Sequence, residues 1–256
     1  MPIYLSDREF TERVLDTRSM GKNAADAMTI MARYYYSEGY KKREVRKRLE
    51  SALLICDPYA QLQQWQDTLD GIVRQCDKRA AVEIDYIPIT VNEMKIVRGM
   101  DGKQAQRLAF TLLGIAKFWD AALAYNDHWV RTPDREIFSL ANINTSIKRQ
   151  CAMMHDMREC GMLTFRKRVD DLRVRVNYIQ NDEPEILLTD YRNLGNQYMM
   201  HIGDGFFQCE QCGITLRKKS NSHKYCPACA NEIKMKQTVE SVTRKQNVYN
   251  KQRFTA

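Results

Sequence analysis

Near the C-terminus, the types and spacing of four cysteines dictate a chemistry. In "FQCEQCGITLRKKSNSHKYCPACANEI", residues 206 to 232, Cys209 and Cys212 form one Cys-x-x-Cys pair and Cys226 and Cys229 a second, with thirteen residues between them. A Cys-x-x-Cys turn places two sulfurs on one ion, and two such turns fill the tetrahedral shell that Zn²⁺ prefers. No position is then left for water or substrate. The expected cofactor is therefore a structural zinc that folds a segment too short for a core of its own. Two disulfides would need an oxidising compartment, and a redox pair would sit at a helix start beside a βαβ pattern, which this sequence lacks. His223 is expected to face solvent or phosphate and to leave ligation to the four thiolates.

The site presents the loop that it closes. Arg217, Lys218, Lys219, His223 and Lys224 fall within eight residues, and from 201 to 256 ten Lys or Arg stand against four Asp or Glu. The whole chain carries a net charge of +8, so this terminal fifth holds most of it. Such a balance calls for an acidic partner, nucleic acid first and an anionic membrane surface as the alternative. Phosphate contact is the expected role of the loop, ahead of a merely solvated basic hairpin.

A second charged region begins at 146. "IFSLANI" reads as a short helix and "NTS" as a polar break. "IKRQCAMMHDMRECGML" is a longer helix with Ile147, Cys151, Met154 and Met157 inward and Gly161 as its stop. "LTFRKRV" and "LRVRVNYI" then alternate about a polar turn at Asp170 and Asp171, a hairpin pattern. This is the element order of a winged helix-turn-helix, whose second helix enters the major groove with its N-terminal residues. Ser146, Lys148, Arg149 and Gln150 occupy that turn, and Arg166, Lys167, Arg168, Arg173 and Arg175 load the hairpin as phosphate contacts. Arg173, Arg175 and Asn177 should share one strand face, with Leu172, Val174 and Val176 on the other. A solvated β-ribbon, or a winged helix that binds protein, is the competing reading.

The elements that must position these groups are mostly helical. Residues 1 to 82 read as four helices. Ser6 with Glu9 makes a capping box, Ala27, Ile30, Met31 and Tyr34 line one face of the second helix, and Pro58 opens the fourth. "YYY" at 34 to 36 is expected half in a core, and "KKREVRKRLE" is as consistent with an exposed face as with phosphate contact. "AAVEIDYIPIT" is a short strand or extended linker. Thr90 and Glu93 cap the helix after it, and a long helix follows with Leu108, Leu112, Ile115 and Trp119 on one face. The expected fold is mainly α: a helical N-terminal region at 1–82, a winged helix-turn-helix with a β-hairpin wing at 83–181, a linker at 182–205, a C-terminal zinc ribbon at 206–232 and a basic tail at 233–256 that frays or is disordered. Cys56, Cys76, Cys151 and Cys160 fall in helical patterns as packing residues.

The sequence has no Gly-rich phosphate loop, no His-Glu-x-x-His and no assembled Ser/His/Asp set, so no enzymatic activity is expected. With no apolar run of eighteen residues and no secretory signal, a cytoplasmic protein without membrane contact is expected.

Several segments also resemble a group of uncharacterised phage and prophage proteins of Gram-positive bacteria. These are "IPIT" with its following Glu, "LAFTLLGIAKF", "IFSLANI", "MHDMRECGML", "NLGNQY" and the terminal cysteine pairs, a likeness spanning roughly residues 30 to 235. The resemblance implies a phage context, hence the cytoplasm of an infected or lysogenic bacterial cell. Winged-helix phage proteins commonly act in replication initiation or transcriptional control, an analogy at the level of fold. The expected partner is double-stranded DNA, with RNA as an alternative. The rival expectation is an adaptor or inhibitor that binds a host or phage protein.

Overall fold

The computed structural model of the chain describes residues 3 to 254 apart from 22, 124, 167–172 and 221, with side chains as far as 243. Ten helices and six short strands in three antiparallel pairs make the described chain mainly α.

Helices α1 (Asp7–Thr17), α2 (Ala24–Ser37), α3 (Lys42–Cys56) and α4 (Leu62–Cys76) enclose one core around Phe10, Met28, Ile30, Met31, Leu49 and Leu69. Ser6 caps α1 by accepting from Glu9 N at 3.0 Å, but the reciprocal carboxylate is not that of Glu9. Glu83 reaches the cap from outside the helix, accepting from Ser6 Oγ at 2.7 Å and from the first-turn amide Arg8 N at 3.0 Å. On α2 the fully packed tyrosine is Tyr35, while Tyr34 and Tyr36 are half-buried. Pro58 precedes α4: an Asx turn, Tyr59 N to Asp57 Oδ1 at 3.1 Å, occupies the expected first turn, and the helix starts at Leu62. Asp7 is buried where α1 begins, accepting from Arg33 Nε at 2.9 Å, Arg33 Nη2 at 2.7 Å and Val82 N at 3.0 Å. Two helices and the exit from this bundle thus converge on one carboxylate.

The second core is built by β1 (Ile87–Thr90), α5 (Val91–Arg98), α6 (Lys103–Ala122), α7 (Asp134–Leu140), α8 (Ile147–Glu159), β2 (Leu163–Phe165), β3 (Val174–Val176), β4 (Pro184–Leu188) and α9 (Leu194–His201). Leu108, Leu112 and Ile115 are buried as their spacing predicts, yet every residue from Leu108 to Ala116 is buried too. A helix apolar all round is the centre of a core. Trp119 sits at its edge, half-buried, donating from Nε1 to Thr132 Oγ1 at 3.1 Å. The box at Thr90 and Glu93 forms, with Thr90 N to Glu93 Oε2 at 2.7 Å, and the fully buried Glu93 also holds Lys117 Nζ at 2.7 Å and Gln180 N at 2.9 Å.

Residues 182–205 are not a linker. β4 pairs antiparallel with β1, Ile87 opposite Leu188 and Ile89 opposite Ile186, and α9 buries Leu194, Tyr198 and Met199 in the same core as α6. The composition misleads because its residues have packing roles. Glu185 pairs with His201 Nε2 at 2.7 Å and with Arg98, and Gly195 lies where α9 passes hard against Ala141.

On α8 the inward residues are Met153, Met154 and Met157, whereas Ile147 is 78% exposed and Cys151 is exposed. The buried arc begins only after the first turn, which carries no buried residue. In the hairpin, Val174 and Val176 are buried opposite Phe165 and Leu163, as alternation predicts. Lys167, Arg168, Leu172 and the turn at Asp170 and Asp171 lie outside the described residues. One extra segment joins this pair. Trp129 bridges Arg175, Val130 N donates to Val174 O at 2.8 Å and Val176 N to His128 O at 3.0 Å.

Strands β5 (Phe206–Gln208) and β6 (Thr215–Arg217) and helix α10 (Pro227–Phe254) complete the chain. The basic segment beyond 232 is helical through Phe254.

Candidate functional site

Two backbone turns aim the cysteines at one point. At the first, Gly213 adopts φ +74°, a left-handed conformation glycine enters at no steric cost, and its N–H donates to Cys209 O at 2.9 Å. At the second, Pro227 stands at the first position of α10, where its missing N–H costs nothing, so Cys226 and Cys229 flank the helix start. All four Sγ atoms lie within 4.8 Å of one another, and Cys212 Sγ and Cys226 Sγ are 3.8 Å apart. A tetrahedron with metal–sulfur bonds of about 2.3 Å has edges of about 3.8 Å. Backbone amides support the sulfurs: Cys226 N donates to Cys209 Sγ at 3.3 Å and Cys229 N to Cys226 Sγ at 3.4 Å.

Burial pushes the Cys209 thiol up, but amides of Cys212, Cys226 and Gln211 outweigh it and bring it down to about 6. The sulfur of Cys226 pushes Cys229 the other way. Four thiolates this close repel one another unless a cation sits among them, and the cluster has the geometry to hold a metal ion.

The ribbon is seated on α9. Asn196 Nδ2 donates to Thr215 O at 3.1 Å, Arg192 Nη2 to Cys212 O at 2.6 Å and Lys218 N to Gly205 O at 2.8 Å. The segment expected to be a linker is therefore its platform. His223 packs at 4.5 Å from the Phe207 ring centroid, with Nδ1 accepting from Lys219 N at 3.3 Å, so it braces the loop while remaining half-exposed. Arg217, Lys218, Lys219 and Lys224 are exposed, and Lys224 has only a 3.7 Å approach to Glu210. An exposed pair of this kind holds its lysine weakly.

The residues expected on α8 divide. Ser146 is committed to the cap, accepting from Arg149 N at 3.3 Å. Gln150 is half-buried and turned back, its Nε2 donating to Thr145 O at 3.1 Å, which takes its amide away from a partner's base edge. Lys148 and Arg149 are exposed beside Ile147.

In the hairpin, Arg175 is engaged by Asp127, through Nη2 to Oδ1 at 2.9 Å and Nε to the carbonyl at 3.1 Å. Its strand bridges the 126–130 loop, so the side chain meets that loop's acid before any phosphate, and it holds the Asp127 carboxyl below the usual range. Arg173 is half-buried, and Arg166 is exposed with its guanidinium 5.9 Å from the Trp129 ring centroid.

Sequence reasoning missed the loop after α6. There Asp120 Oδ1 accepts from His128 N at 2.8 Å, and Asp120 Oδ2 meets His128 Nδ1 at 2.6 Å. The only signal was a polar "YNDHWVR" after a long apolar helix.

The chain matches no family model, no curated protein and no solved structure. Its function is argued from its own side chains. No helix among the described residues is long and apolar enough to cross a membrane.

Proposed function

We propose that this is a phage-type nucleic-acid-binding protein that engages double-stranded DNA in replication initiation or transcriptional regulation and catalyses no reaction. The observation that carries the reading is the first turn of α8, where Ile147 is 78% exposed and Lys148 and Arg149 are exposed at a capped helix start. An isoleucine spared from the core beside two cations suits a major groove, where thymine methyls and guanine edges are presented together.

The reading takes α6 to β3 as a winged helix-turn-helix. The segment at Trp129 supports it, since between α6 and α7 it bridges the hairpin through Arg175 and gives the order helix, bridged segment, helix, helix, hairpin. In this arrangement α8 reads bases, while Arg166, Lys167, Arg168 and Arg173 meet phosphates. Zn²⁺ holds the four cysteines as a structural ion, and Arg217, Lys218, Lys219 and Lys224 on the ribbon add sequence-independent anchoring. RNA is the alternative partner, and the resemblance to phage proteins supports a role in the cytoplasm of an infected or lysogenic cell.

A salt titration of duplex binding tests the proposal. Changing Lys218 and Lys219 together to Glu should weaken binding and lower the slope of log affinity against log salt by about two units. Absence of both DNA and RNA binding at low salt defeats the reading. One observation favours a protein-binding adaptor instead: Met235, Val239 and Val242 lie exposed at i, i+4 and i+7 on α10. Charged substitutions there that abolish a partner's binding and leave nucleic-acid binding intact would support it.

A further inference from the structure

The loop after α6 opens onto a cleft of about 690 Å³, lined among others by Tyr125, His128, Trp129, Arg131, Arg166 and Arg173. It lies beside the base of the hairpin and shares Arg166 and Arg173 with the duplex reading above.

Its floor is rigidly built. Asp120 accepts from His128 N, from Asn126 Nδ2 at 3.1 Å and from the His128 ring, and Asn126 in turn donates to Trp129 O at 2.7 Å and accepts from Arg131 Nε at 2.8 Å. These bonds hold Asp127 at φ +50° and His128 at φ +63°, two successive side-chain-bearing residues in the left-handed region. Such a conformation persists only where its surroundings over-determine it, and it clusters at ligand sites. Because an ionised carboxylate only accepts, the His128 Nδ1 donates to Asp120, and this bond fixes the ring's orientation beside the cleft. The side chain of His128 is 36% exposed.

The lining is cationic and aromatic together. Arg131, Arg166 and Arg173 stand against Asp120 and Asp127, and Asp127 is already paired with Arg175. Tyr125 is 95% exposed at the rim, a planar ring with its faces in water, and Trp129 is half-buried beneath Arg166. Positive charge next to a free aromatic face is the chemistry that takes a phosphate and an unstacked base at once. Paired bases hide their faces inside the duplex.

We propose that the cleft holds an unpaired nucleotide of a nucleic-acid strand, with its phosphate at the arginines and its base on Tyr125. This rests on the nucleic-acid reading and extends it: the protein grips a single strand next to the hairpin that touches the duplex.

Binding of labelled oligo-dT and of a duplex at low salt, measured by fluorescence anisotropy on the full chain, tests it. Tyr125 is clear of the core, so Tyr125→Ala should fold normally, weaken oligo-dT binding about 5- to 100-fold and leave duplex binding unchanged. Tyr125→Phe should restore the oligo-dT affinity. Arg166→Gln should lower the salt slope for oligo-dT by about 0.7. Wild-type affinity in Tyr125→Ala overturns the proposal, as does a wild type that binds duplex but no oligo-dT. Displacement of oligo-dT by dTMP at equal nucleotide concentration would make this a mononucleotide site and overturn the strand assignment. A wild type that binds neither duplex nor oligo-dT overturns the underlying reading as well.

Discussion

Replacing Gly195 by Ala should unseat α9. A Cβ built there falls 2.0 Å from Ala141 O, 2.6 Å from its carbonyl carbon and 2.9 Å from its Cα, where ordinary contact begins at 3.4 Å. Both sides of the clash are backbone, and the Ala141 carbonyl is further pinned by Arg107, whose Nε and Nη2 donate to it at 2.9 and 2.6 Å. No side chain can swing aside, so α9 must move as a body. That motion strains Tyr198, buried in the core with its hydroxyl on Gln106 Oε1 at 3.0 Å, and the bond from Asn196 to Thr215 that seats the ribbon. Overpacking costs about 3 kcal/mol at the upper end of its usual range. The higher helix propensity of alanine returns about 1 kcal/mol. The net is a loss of about 2 kcal/mol, which lowers Tm by about 4–8 °C in a domain of this size. Gly71, within α4, is the control: a Cβ there meets nothing within 4 Å, so Gly71→Ala should stabilise by about 0.5–1 kcal/mol. Thermal and urea melts of the two variants decide the matter. If Gly195→Ala is as stable as the wild type, α9 is not wedged against Ala141 and the seating of the ribbon on the core is wrong.

Asp7→Asn should destabilise the N-terminal bundle by about 3–5 kcal/mol, because it strips the counter-charge from a buried guanidinium. The Arg33 side chain is only 10% exposed, and a urea melt showing a loss under 1 kcal/mol would count against the buried pair. Burial pushes the Glu185 carboxyl up, but His201 and Arg98 outweigh it and hold the group below its usual range. A depressed carboxyl stabilises above its unfolded pKa and loses that contribution as pH falls through the folded value. Glu185→Gln should therefore cost about 0.5–1 kcal/mol at neutral pH, and the gap to wild type should close below about pH 4. An unchanged gap at acid pH would refute the pairing. Elemental analysis should find one zinc per chain, and chelation should collapse the amide dispersion of 206–229 in NMR spectra while the core at 87–202 keeps its own. A ribbon that survives chelation would show that metal does not hold it.

The cysteine cluster was legible because its information is local: a Cys-x-x-Cys turn fixes two ligands wherever it lies, and thirteen intervening residues suffice to bring the pairs together. Helices were legible for the same reason. Ser146 caps α8 and Thr90 with Glu93 caps α5 through bonds spanning three residues. The limits appear where composition stood in for contact. "NDEPEILLTD" followed by glycines reads as a linker, since nothing within it announces that Ile186 and Leu188 pair with residues about a hundred positions earlier. Periodicity on α8 placed Ile147 and Cys151 inward because it cannot tell where along a helix the core begins.

The sequence by itself determined the four-cysteine cluster, most of the helices outside 182–205 and the clustering of basic charge, all set by spacings within a few turns of chain. Only the tertiary structure decided which charges are available. It turned Arg175 onto Asp127 and Gln150 onto its own backbone, left Lys148, Arg149 and the ribbon lysines exposed, and set His128 against Asp120 beside Tyr125 and Trp129. The reason is physical: a side chain's partners follow from the packing of distant segments, and a cation's use depends on whether that packing brings it an acid or leaves it in water.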